Sequence, residues 1–138
     1  MEKTNTKEKS ERYIEAIGRR KTSTARVRIT PASKSSFVIN EKDLDTYFPT
    51  EEMRGLAIKP LSSKGAGNFS VSVILKGGGI HSQAEAVSHG IARALVAGEA
   101  TLRKDLKKAG MLKRDPRAKE RRKPGLKKAR KSPKWSKR

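Results

Sequence analysis

The side chains best equipped for chemistry in this sequence are guanidinium and ammonium groups, and they are clustered. From Lys113 to Arg138 the chain carries 14 Lys or Arg against two acids, Asp115 and Glu120, so this stretch alone supplies +12 of the net +20. Cations at that density bind polyanions: neutralising phosphates releases condensed counterions and gives strong, salt-sensitive affinity without a preformed pocket. The residues singled out for RNA contact here are Arg114, Arg117, Arg121, Arg122, Lys123, Lys127, Lys128, Arg130, Lys131, Lys134 and Trp135. An indole set among cations can stack on a base or ribose, contributing roughly 1–3 kcal/mol per stacked base. Its competing use is docking on the protein's own body. With only Leu126 and Trp135 as large apolar residues, the stretch cannot bury enough surface to offset its ordering entropy, and it should stay extended and mobile until a polyanion orders it. Pro116, Pro124, Gly125 and Pro133 break helical continuity, which predicts a jointed thread.

A second set of cations lies in GRRKTSTARVRI, Gly18 to Ile29. Arg19, Arg20 and Lys21 stand at the start of a strand whose outer face continues with Arg26 and Arg28, while Ala25, Val27 and Ile29 point to a core. Guanidinium groups bond phosphate oxygens in pairs, so such a face suits a sugar-phosphate backbone, though an ordinary solvated face reads the same. In KGGGIHSQAEA, Lys76 and three glycines lead to a helix N-terminus, where free N–H groups and the helix dipole favour an anion. The bland alternative is a tight strand-to-helix turn. Neither a Walker lysine pattern nor a dinucleotide fingerprint is present to imply a nucleotide cofactor.

Other chemistry is thin. His81 and His89 are eight residues apart, two helical turns, too far for a pair of metal ligands. Asp43 and Asp45 form a D-x-D that fits helix capping better than acid–base work. Without cysteine there is no disulfide framework, thiolate zinc site or cysteine nucleophile. No catalytic residue, cofactor, metal site or small-molecule substrate is assigned, and an enzyme is not expected.

The elements that must hold these cations read as follows. Thr24 to Thr30 alternates as a half-buried strand stopped by Pro31; Phe37 to Ile39 makes a second; Phe69 to Leu75 is the clearest, closed by Gly77, Gly78 and Gly79. Asp43 and Thr50 look like caps of two short helices presenting Leu44, Tyr47, Phe48, Met53, Leu56 and Ala57, and Asn40 to Asp43 reads as a loop. Ser82 with Glu85 forms a capping box for a helix that carries Ala84, Val87, Ile91, Ala94 and Leu95 and ends at Gly98. A shorter helix runs from about Thr101 to Ala109, stopped by Gly110. Strands followed by covering helices make an α+β layer fold.

The division that follows is a flexible polar N-terminus over 1–11, a globular α+β RNA-binding domain over 12–112 and an extended basic tail over 113–138. At 33% hydrophobic and 4% aromatic, one modest core is the expectation. The N-terminal segment lacks the apolar stretch of a secretory signal, and no window approaches the roughly 18 apolar residues of a membrane span, so a cytoplasmic protein is expected. Anchoring on an anionic membrane is disfavoured because the tail lacks a broad apolar helical face.

Long blocks in a fixed order also carry a resemblance: GRRKTSTARVRI, INEKDLDTYFP, KGGGI, HGIARAL, LKKAGMLKRDPR and ERRKPGLKKARKSPKWSKR. Together they resemble small-subunit ribosomal protein nine of the bacterial or organellar type, over nearly the whole chain. The resemblance implies a fold like domain two of ribosomal protein S-five, a mostly antiparallel four-stranded sheet backed by helices with a long basic C-terminal tail. It implies docking on small-subunit rRNA in the head, beside neighbouring head proteins, with the tail threading rRNA to the peptidyl-site tRNA. Carried onto this sequence, Ser136, Lys137 and Arg138 would touch that tRNA. A flexible cationic tip suits such a site because phosphate contacts do not read sequence. The alternative is the protein subunit of an RNA-processing ribonucleoprotein of the ribonuclease P kind, which resembles this topology but lacks the long arm; a DNA-compacting protein is a further rival.

Overall fold

The computed structural model describes residues 12–63 and 65–137. Its first two strands, β1 (Ile14–Arg20) and β2 (Ser23–Pro31), form a hairpin that turns at Lys21 and Thr22, with Ile14 opposite Ile29 and Arg20 opposite Ser23. There follow β3 (Ser36–Ile39), a two-residue β4 (Lys42–Asp43) and two short helices, α1 (Leu44–Tyr47) and α2 (Glu51–Ile58). A 3-10 turn over Lys59–Ser62 leads towards β5 (Phe69–Lys76), then the long α3 (Ile80–Gly98), and a second 3-10 turn enters α4 (Arg103–Lys108). The sheet order is β1-β2-β5-β3-β4, antiparallel throughout except where β3 lies parallel to β5.

Alternation along β2 and β5 buries Ala25, Val27, Ile29, Val71, Val73 and Leu75 on one face, and α3 covers them with Ala84, Val87, Ile91, Ala94 and Leu95. These are the residues that the periodicity assigned to the core. Two glycines set how closely helix and sheet approach. A Cβ on Gly18 of β1 would collide with the Ala86 carbonyl oxygen, and one on Gly90 of α3 would stand 2.6 Å from Val27 Cγ2. Such overlap with backbone and a buried side chain has no cheap relief in a close-packed interior.

The sheet has five strands, not the expected four. Arg19 and Arg20 close β1 and Lys21 sits in the hairpin turn with φ +51°, whereas all three were expected at the start of the strand that carries Arg26. The inward positions of β1 are Ile14, Ala16 and Gly18, and with Ala16 small and Gly18 without a side chain they do not stand out as a strand face. The segment Asn40 to Asp43, expected as a loop, contributes β4, which pairs with Val38 and Ile39.

Helix α3 is capped three residues before the expected N-cap, Ser82. Its N-cap is Gly79 without a side-chain cap; Ser82 Oγ donates to the Gly79 carbonyl at 2.9 Å, and Glu85 faces Arg20 across the fold. Asp43 and Thr50 do occupy N-cap positions of α1 and α2, but neither side chain bonds the helix. Gly110, with φ +76°, follows α4 where a stop was expected. From Met111 to Lys137 the chain forms neither helix nor strand.

Candidate nucleic-acid interface

Strand registry brings the outward side chains of the sheet into rows. Arg19, Thr24 and Lys76 make one row; Ile17, Arg26 and Ile74 the next; Glu15, Arg28, Ser72 and Val38 the third. Arg26 and Arg28 each bond Glu15 through Nε at 2.9 Å, and the Arg28 guanidinium lies 4.7 Å over the Tyr13 ring. The hydrogen bond from Arg26, then that from Arg28, holds the Glu15 carboxyl below its ordinary range. Two of the six predicted body cations are thus tethered to one acid, while Arg19 and Lys76 are exposed and have no carboxylate partner among the described residues.

Arg20 has a different setting. Its side chain is 13% exposed, its Nε donates to Glu85 Oε2 at 2.8 Å, and its Nη2 stands 3.7 Å from Asp115 Oδ2. Nη1 donates to the carbonyls of Asp115 and Arg117. Arg117 in turn grips Asp115 with Nε and Nη2, which together with its own backbone N–H holds the Asp115 carboxyl far below the ordinary range. Close by, Arg114 Nη2 donates to the Lys21 carbonyl at 3.3 Å. His89 completes the fastening: the Arg19 backbone N–H donates to Nδ1 at 3.2 Å, so the ring proton sits on Nε2 and is donated to the Leu112 carbonyl at 3.1 Å. Burial lowers the His89 pKa, and Arg93 and Arg114 nearby push the same way. The root of the basic tail is therefore pinned to the β1–β2 hairpin and to α3.

Beyond the root the side chains open out. Arg121, Arg122, Lys127, Lys128, Lys131, Lys134, Ser136 and Lys137 are exposed, and Trp135 is 85% exposed and off the body. One local organiser is present. Glu120 bonds Lys123 Nζ at 2.6 Å and Arg130 Nε at 2.8 Å, while the Lys127 N–H donates to the Lys131 carbonyl at 2.8 Å. These bonds fold the stretch around Pro124 and Gly125 into a bend, not a straight thread. Arg138 lies outside the described residues.

The glycine turn before α3 has a packing explanation. Gly77 and Gly78 adopt φ of +75° and +69°, and a Cβ on Gly77 would stand 2.7 Å from the Thr22 carbonyl oxygen. The Gly77 carbonyl accepts from Ser23 Oγ and Gln83 Nε2, which locks turn, hairpin and helix together. Among the described residues no group of three His, Asp or Glu is placed to hold a metal ion, and no helix is long and apolar enough to cross a membrane.

Sequence reading found the cations and missed the acids that organise them. Glu15, Glu85, Asp115 and Glu120 each engage at least one arginine that had been assigned to RNA. A signal existed for two of them, since Asp115 and Glu120 are the only acids in the tail. A sheet with arginines on its open face, a fastened root and an exposed polycationic arm agree with one family. Residues 18–138 match the family described as ribosomal protein S9/S16, and this chain belongs to it, a ribosomal protein of the small-subunit type.

Proposed function

We propose that this protein is a structural constituent of the small-subunit head that binds rRNA and extends its arm to the peptidyl-site tRNA. Family membership gives the ribosome as its place; the rRNA contacts, the tRNA contact and a cytoplasmic ribosome are the reading advanced here. The single observation that carries it is the segregation of charge: Glu15, Asp45, Glu85 and Asp115 of the body and root engage arginines internally, whereas the distal arm presents Arg121, Arg122, Lys127, Lys128, Lys131, Lys134 and Lys137 to solvent beside an exposed Trp135. Free cations with an aromatic are what a strand of folded RNA recognises through phosphate contact and stacking. Arg19, Lys21, Arg26, Arg28 and Lys76 supply the body's side of the contact, and the fold name implied by the sequence resemblance, S-five domain two, is part of the same reading.

The mechanism is electrostatic. The body docks beside neighbouring head proteins, the arm settles into an rRNA crevice, and Ser136, Lys137 and Arg138 touch the tRNA backbone without reading bases. No catalytic step is assigned. Deleting Lys137 and Arg138 leaves subunit assembly near normal and speeds tRNA release from the peptidyl site. Unchanged tRNA dissociation from subunits carrying the truncated protein, measured by filter retention over time, rejects the tip's role; crosslinking from the last two residues to tRNA supports it.

A further inference from the structure

The fastened root encloses a cleft between the β1–β2 hairpin, α3 and the start of the arm. The cations lining it are Arg19, Arg20, Lys59, Lys113 and Arg114, and Ser88 and His89 line it too. The cavity measures about 190 Å³, several times the roughly 30 Å³ that a water occupies in the liquid. Two carboxylates, Glu85 and Asp115, line the same cleft and would repel an anion on their own. Both are held by Arg20, at 2.8 and 3.7 Å, and Arg117 takes a further share of Asp115 at 2.8 Å. Among the described residues no carboxylate lies within 4.0 Å of Arg19, Lys59, Lys113 or Arg114, and all four are exposed. The acids are therefore neutralised by Arg20 and Arg117, while the other four cations of the cleft stay open.

We propose that this cleft is a phosphate-binding site for the backbone of folded RNA, and that Arg20 is a positioning residue which neutralises Glu85 and Asp115 there and does not itself touch the RNA. The inference rests on the rRNA-binding reading above and assigns Lys59 and Lys113, which sequence reasoning passed over, to contact. Arg20 is poorly placed for RNA because reaching a phosphate requires it to leave two carboxylates and two carbonyls. Its removal uncovers two negative charges at the site where a phosphate has to sit.

The test is full-length protein binding to small-subunit rRNA across a range of salt. Replacing Lys59 and Lys113 together by Gln reduces the steepness of log affinity against log salt by about 1.4–1.8, which is about a 25- to 60-fold loss at 0.1 M salt. An unchanged slope overturns the cleft as a phosphate site. Arg20→Gln binds weakly, and the triple variant Arg20→Gln, Glu85→Gln, Asp115→Asn returns to within about threefold of the natural protein. If the triple stays as weak as the single while amide protection of the body is native, Arg20 contacts RNA directly and the proposal fails. Should Arg20→Gln not fold, Asp115→Asn decides the matter, because it leaves the Arg20–Glu85 pair intact: binding equal to or tighter than the natural protein is the expected result, and weaker binding overturns the proposal. Failure of the natural protein to bind small-subunit rRNA at all would instead defeat the rRNA reading itself, so the two failures are distinguishable.

Discussion

The root and the outer length of the arm are built from the same residue types and differ in what those residues face. Where residues 112–117 meet the body, His89 holds the Leu112 carbonyl, Arg114 holds the Lys21 carbonyl, and Arg20, Glu85, Asp115 and Arg117 form one connected cluster. From Arg121 outward most cations face solvent, and Glu120 alone gathers a pair of them. The difference teaches that a count of cations overstates the binding surface wherever acids lie within reach. Arginines on the body and at the root serve chiefly as internal fasteners. The same side chains further out are the ones left to a partner.

That contrast breaks most visibly if the whole arm is removed. Deleting residues 113–138 takes away 14 cations, and even half of them acting as phosphate contacts corresponds to a slope of about 5 and at least a 10³-fold loss of rRNA affinity at 0.1 M salt. Filter binding at several salt concentrations measures it, and a truncated protein that binds within tenfold of full length would put the affinity in the body. The reverse experiment damages the body and spares the arm. Gly90→Val drives methyl groups towards Val27 and Gly18, and overpacking of this kind destabilises by about 1–3 kcal/mol or more. Denaturant unfolding reads the loss, while the salt-dependent RNA affinity carried by the arm falls less than tenfold. Equal collapse of both would mean that the arm works only from an intact platform.

What could be read in advance follows the same line. Strands β2 and β5 and helix α3 were legible because their apolar positions recur at a period of 2 or of 3.6 over many residues and because Gly98 and the glycine turn punctuate them. Strand β1 was not, since Ala16 and Gly18 give its inner face no hydrophobic signal; Gly18 is there for the approach of α3. The site was half legible. Cation positions are a local property of the sequence, whereas their partners are not: Glu85 lies 65 residues from Arg20, and the Asp115 carbonyl that Arg20 bonds lies 95 residues away. Glu85 even carried a plausible local role, as the far half of a capping box with Ser82, and the long-range pair won because the helix starts three residues earlier.

A smaller effect comes from the one histidine in the fastening. Burial, with Arg93 and Arg114 adding to it, holds the folded-state pKa of His89 below the unfolded value, so on acidification the unfolded chain takes up this proton first. Stability then rises with pH where the unfolded state binds more protons, and it falls as pH drops through the ordinary histidine range towards the lower folded value. Protonation also ends the acceptance by Nδ1 of the Arg19 N–H. Protection of the Arg19 amide, corrected for the intrinsic pH dependence of exchange, should fall between pH 7 and pH 5, and His89→Gln should flatten that dependence. A pH response that survives the substitution assigns it elsewhere.

The smallest change sharpens the comparison most. Glu15 tethers both Arg26 and Arg28 on the open sheet face, and Glu15→Gln keeps the shape while releasing the pair. The folded-state carboxyl is held below its ordinary pKa, so its stabilising contribution is present above the unfolded carboxylate pKa and is lost as pH falls through the folded value; at pH 7 the substitution removes that contribution. Because the group is exposed, the loss is small, as for surface pairs generally. The gain is two guanidinium groups free for phosphate. If the sheet face lies on rRNA, each freed arginine that finds a phosphate steepens the salt slope by about 0.7–0.9 and raises affinity at 0.1 M salt by about five- to eightfold. If the face lies away from RNA, the slope does not move while the arm-truncated protein keeps its weak binding. The two results separate a sheet that shares the arm's work from one that only carries the arm, and the deciding quantity is the slope, since a bare affinity also responds to the altered net charge.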